Sequence, residues 1–146
     1  MVKCRVGLLA ALLFQAAYAE GSPVVTVMVK NQSALAVVNK SIGANHQHTL
    51  MNAYPKPKSQ INPGEEDTYS VDNKVGNGAN YVEVNYTMGE KSCNFKSLFL
   101  NKMVGYKTYS PQWLNYATPQ NGASCSAETV SIDSIVHSWR VVFIIK

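Results

Sequence analysis

The strictest constraint in this chain is a side-chain period of two. Val25, Val27 and Val29 alternate with Thr26, Met28 and Lys30, and Val82, Val84, Tyr86 and Met88 alternate with Tyr81, Glu83, Asn85 and Thr87. Successive side chains of a strand point to opposite faces, so this pattern buries one face of a sheet and wets the other. Leu35 to Val38 reads as a further strand after the polar break Asn31-Gln32-Ser33. After Met88 the chain turns through Gly89-Glu90-Lys91 and returns as Cys93 to Leu100, a hairpin. Trp139 to Ile145 is nearly all apolar and rich in β-branched and aromatic residues, as expected of a central strand. Pro55-Lys56-Pro57, Pro63-Gly64, Gly76-Asn77-Gly78, Pro119 and Gly122 punctuate these runs. No segment sustains an apolar 3.6-residue period with caps. The expected fold is all-β: a two-sheet antiparallel β-sandwich with little helix, forming a single domain over residues 20–146.

The first 19 residues, MVKCRVGLLAALLFQAAYA, read differently. Lys3 and Arg5 precede an apolar run from Val6 to Phe14, and Ala17 and Ala19 supply the small residues of a cleavage site. This is the pattern of a secretory signal peptide, with cleavage expected between Ala19 and Glu20. Its apolar core is shorter than the roughly 20 residues that cross a bilayer as a helix. Removal would lower the formal charge from +4 to about +2 and leave Arg140 as the only arginine. The lysines are scattered singly, so no basic patch points to nucleic acid.

Cys4 would leave with the signal peptide, so Cys93 and Cys125 remain. Two cysteines in an exported chain allow one intramolecular pairing, and a Cys93–Cys125 disulfide is expected in a secreted protein, extracellular or, in a bacterium, periplasmic.

A search for catalytic chemistry returns negatives. The chain has no phosphate-binding Gly-rich loop, serine elbow, paired-histidine helix or Cys-x-x-Cys. Glu65, Glu66 and Asp67 follow the Pro63-Gly64 turn and read as a solvated turn, short of the oxygen ligands calcium needs. His46 and His48 would share a face on a strand, but no third ligand lies nearby, and the segment reads as an exposed polar loop. His137 has no nucleophile or orienting carboxylate at a recognisable spacing. The expectation is a protein that is not an enzyme and needs no cofactor or metal. Sequons at Asn31, Asn39 and Asn85 are about as frequent as the composition produces by chance.

One segment departs from the rest. Met103 to Pro119 places Tyr106, Tyr109, Trp113 and Tyr116 among Lys107, Ser110, Pro111, Gln112 and Asn115, a loop-like stretch. Tyrosine and tryptophan combine a flat apolar face with a polar tip, which suits water boundaries, choline headgroups and sugar rings. The alternative is that these rings cap one end of the sandwich core.

The order of features resembles the actinoporin-like β-sandwiches, a group related to the aegerolysins and the fungal fruit-body lectins. It is carried by Val29-Lys30-Asn31-Gln32-Ser33, Gln60-Ile61-Asn62-Pro63-Gly64-Glu65, the Gly76/Gly78 turn into Tyr81-Val82-Glu83-Val84-Asn85-Tyr86, and Tyr106-Lys107-Thr108-Tyr109-Ser110-Pro111-Gln112-Trp113. The similarity spans most of residues 24–116. It implies that Tyr106, Tyr109, Ser110 and Trp113 lie in a membrane-facing aromatic region, with Tyr109 walling a headgroup pocket. Tyr116 joins this candidate ligand-binding set from composition alone. The amphipathic helix that precedes the first strand in actinoporins has no counterpart here, so pore formation by that route is not implied. The sequence therefore points to a secreted module that binds a membrane lipid headgroup or a glycan. The rival expectation is a protein partner for a secreted inhibitor, immunity protein or effector, with the same aromatics as anchors.

Overall fold

A computed structural model of the protein describes residues 22–73 and 75–146. The expected signal peptide over residues 1–19, with Cys4, lies outside the described residues. Among the described residues, ten strands form two five-stranded sheets, an all-β sandwich with one α-helix. The strands are β1 (Val25–Asn31), β2 (Val37–Asn39), β3 (Ala53–Tyr54), β4 (Gln60–Ile61), β5 (Glu66–Val71), β6 (Asn80–Met88), β7 (Lys91–Gly105), β8 (Thr108–Gln120), β9 (Cys125–Ile132) and β10 (Trp139–Ile145), and the helix is α1 (Ala44–Asn52). The first sheet runs β3-β5-β1-β10-β9 and the second β4-β2-β6-β7-β8.

Pairing is antiparallel except between β1 and β10, which run parallel with Val25 opposite Trp139 and Asn31 opposite Ile145. Strand β10 is also paired with β9, so the apolar Trp139–Ile145 run is flanked by strands on both sides, as its composition requires. The period of two is observed directly: Val25, Val27 and Val29 are buried from β1, and Val82, Val84, Tyr86 and Met88 from β6. The core lies between the sheets, where Phe95 of β7 stacks on Phe143 of β10 with ring centres 4.6 Å apart. Gly89, at φ 60, supplies the left-handed residue that the tight β6–β7 turn needs. The Cys93–Cys125 disulfide joins β7 of one sheet to β9 of the other.

Three local expectations are corrected. Leu35 is exposed, and strand pairing begins only at Val37. Residues 103–119 are not a loop but the end of β7, the turn and nearly all of β8, paired from Ser92–Gln120 out to Gly105–Thr108 with a register shift between Met103 and Gly105. Their prolines and amides are tolerated because β8 is an edge strand, with ladder partners on one side only.

The third correction is α1, which takes the place of the exposed polar loop expected around His46 and His48. Strand β2 pairs with β6 only at Val38–Thr87 and Asn39–Tyr86, leaving the remainder of that β6 edge without a strand. The helix packs there instead. The Glu83 amide donates to Thr49 Oγ1 (3.0 Å), Asn45 Nδ2 donates to Glu83 Oε2 (3.2 Å), and buried His46 uses Nε2 to bond Asn39 Oδ1 (2.8 Å). On a helix, positions i and i+2 diverge, so His46 and His48 do not share a face as they would on a strand. Lys56 Nζ donates to the carbonyls of Leu50 and Met51, closing the helix C-terminus.

Candidate functional site

The second sheet is uneven in length. Strand β6 stops pairing with β7 at Asn80–Phe99, whereas β7 and β8 continue to Gly105–Thr108. Beyond Leu100 the hairpin is therefore a two-stranded ribbon extending about 13 Å from Asn101 to Gly105, at about 3.3 Å per residue. Its turn is Tyr106-Lys107, with Lys107 at φ 51 and its ammonium 5.4 Å from the centre of the Tyr106 ring. Met103, Val104, Tyr106 and Tyr109 are all exposed on it, and Tyr109 is the cross-strand partner of Met103.

The base of the ribbon is anchored at the same end of the sandwich as the β9–β10 connection. Trp113 lies opposite Phe99 and packs on its ring at 5.2 Å, and its Nε1 donates to the carbonyl of His137 (3.2 Å). His137 adopts φ 60 and stacks on Phe99, with centroids 5.1 Å apart. A polar chain crosses behind this cluster: Trp139 Nε1 donates to Ser97 Oγ (2.8 Å), and the Asn115 amide meets both Ser97 Oγ (2.7 Å) and Thr129 Oγ1 (2.8 Å). The Asp133 carboxylate accepts from the amides of Ile135 and Val136, fixing a turn that leaves both side chains exposed. A cavity of about 320 Å³ opens here, with Phe99, Asn101, Ile135, Val136 and His137 in its wall.

The five sequence-nominated residues are thus divided. Tyr106 and Tyr109 stand on the projecting ribbon, and Tyr106 is 89% exposed. Ser110 pairs with Lys102 on the same ribbon. Trp113 faces inward and packs on the core at the ribbon's base. Tyr116 is exposed, at a position of opposite parity opposite Lys96, so it stands on the outer face of the sheet away from Trp113. Met103, Val104, Ile132, Ile135 and Val136, missed by an aromatic-based search, are exposed apolar residues of the ribbon and the β9–β10 region. Val104 next to Met103 was a visible cue; the rest depend on how two distant segments meet.

No protein-family model matches the chain, and no curated protein matches it.

Proposed function

We propose that the protein is a secreted, non-catalytic module that binds the headgroup region of a lipid membrane with one end of its sandwich. The observation carrying this reading is the gathering of exposed apolar and aromatic side chains at a single end: Met103, Val104, Tyr106 and Tyr109 on the ribbon beside Ile135 and Val136 on the neighbouring turn. Apolar and aromatic groups concentrated at the end of a projecting ribbon, with Tyr106 at its turn, match the mixed polarity of a bilayer interface. Lys102 and Lys107 lie within the same ribbon and complement lipid phosphates. The aliphatic share of the surface favours lipid over a glycan as its ligand, because a sugar would leave Met103, Val104 and Ile135 in water. The inter-sheet disulfide agrees with an oxidising, extracellular setting.

Co-sedimentation with phosphatidylcholine vesicles, with and without phosphatidylserine, tests this reading. The wild type is expected in the vesicle pellet, and Tyr106→Ala and Tyr109→Ala are each expected to weaken binding roughly tenfold or more, from the apolar burial lost. Far-UV circular dichroism should remain unchanged. A wild type that stays in the supernatant with both vesicle types overturns the proposal, as does stoichiometric binding of a protein through the same residues without vesicle affinity. An amino terminus at Glu20 in protein recovered from culture medium would accord with export.

A further inference from the structure

We infer that the outer face of the β6–β8 sheet carries a second, separate site, a shallow cleft beside α1 that takes a neutral pyranose ring. Residues on the solvent face of a sheet are ordinarily polar, yet here Tyr81, Leu98 and Leu114 stand in one cross-strand row, with Leu100 two positions further along β7. All four are half-buried. A cavity of about 260 Å³ lies over Tyr81, Leu98 and Leu100 of this face, bordered by Asn45 from α1 and Lys96 from β7.

The chemistry of the rim restricts the ligand. Asn45 Nδ2 donates to Glu83 Oε2 at 3.2 Å, and Lys96 Nζ lies 3.6 Å from the same oxygen. Glu83 is not in the cavity wall, but its carboxylate neutralises the Lys96 ammonium that is, so neither a phosphate nor a carboxylate ligand finds a matching field. The arrangement does leave hydrogen-bonding capacity in the wall: the Asn45 amide oxygen accepts, and the Lys96 ammonium retains protons to donate. Adjacent donors and acceptors beside an apolar floor fit a ring with a hydrocarbon face and vicinal hydroxyls. Tyr81 is held for this role by His48, whose ring stacks on it at 6.0 Å and whose Nδ1 lies 3.1 Å from the tyrosine hydroxyl. Tyr116, directly across from Lys96, extends the same face toward the β8 edge.

This site shares no side chain with the exposed ribbon and does not rest on the membrane reading. The two nevertheless lie near one another, because Leu100 borders the cleft and Asn101 begins the ribbon. A ring in the cleft would therefore stand beside the base of the ribbon.

Titration of the ¹⁵N-labelled protein with the methyl glycosides of glucose, galactose, mannose, N-acetylglucosamine and fucose, followed by amide chemical shifts, tests the assignment. At least one glycoside is expected to shift the amides of Tyr81, Lys96 and Leu98. Asn45→Ala is expected to weaken that binding roughly fivefold or more, the effect of removing a hydrogen-bonding partner from the cavity wall. Leu98→Ser, on the solvent face and outside the inter-sheet core, serves as the second variant and should weaken binding comparably with an unchanged spectrum elsewhere. Tyr109→Ala should bind the glycoside as the wild type does, which separates this site from the vesicle-binding end. No shift with any glycoside, shifts confined to the ribbon, or tighter binding of glucose 6-phosphate than of glucose each overturns the inference.

Discussion

Asn31 performs four hydrogen-bonding tasks at once. Its Nδ2 donates to the carbonyls of Leu35 and Ile61, and its Oδ1 accepts from the amide and hydroxyl of Ser33. The residue is 1% exposed, so Asn31→Ala would take a partner from the buried Ile61 carbonyl and from Ser33, at a cost of about 2 kcal/mol in a urea-unfolding measurement. The same burial governs the sequons: Asn31 and Asn85 are enclosed in the folded protein and cannot carry a glycan there. His46 provides a pH-dependent contribution. Burial lowers its pKa below the ordinary value of 6.5, an effect the nearby Glu83 carboxylate opposes but does not outweigh. The unfolded chain therefore takes up this proton first. The stability held by neutral His46 is complete above about pH 6.5 and is lost as pH falls from there through its depressed folded value. Tm measured from pH 7.5 to 5 should decline in the wild type more steeply than in His46→Gln, and parallel curves would refute this. No pattern of polar residues around His46 announced its burial; the vacant β6 edge that it helps to cover exists only in three dimensions.

At the scale of elements, strands were legible and the helix was not. Strands β1, β6 and β10 each had a buried face written into consecutive residues. Helix α1, ANHQHTLMN, buries His46 and Thr49 in place of an apolar stripe, so hydrophobic periodicity could not find it. The β7–β8 ribbon was half legible. Its aromatics stood out, but reading it as a loop hid the alternation that sends Trp113 inward and Tyr116 outward. The ribbon contributes little to the core, since Asn101 to Tyr109 are all exposed. Replacing residues 103–109 with Asn-Gly, a favourable two-residue hairpin turn, should shift Tm by only a few degrees while abolishing vesicle sedimentation. Retained sedimentation would place the binding surface elsewhere.

Across the whole molecule, two long-range constraints close the sandwich. The parallel β1–β10 pair joins the first strand to the last, and the disulfide links the sheets over a sequence separation of 32. Closing a loop of that length in the unfolded chain corresponds to about 3–4 kcal/mol of stabilisation in the chain-entropy account. A Cys93→Ala/Cys125→Ala double variant should lose about that much in guanidinium unfolding; a loss under 1 kcal/mol would show that the closed loop constrains the unfolded state little. The sequence by itself determined the strand-rich class, the buried faces and the cysteine pairing, because alternation and a single available pair are local or combinatorial facts. Tertiary structure decided the parallel closure, the helix on the β6 edge, and the division of the aromatics between a projecting ribbon, the core and the outer sheet face. Those outcomes depend on where strands of unequal length end relative to one another, and chain order alone does not encode that relation.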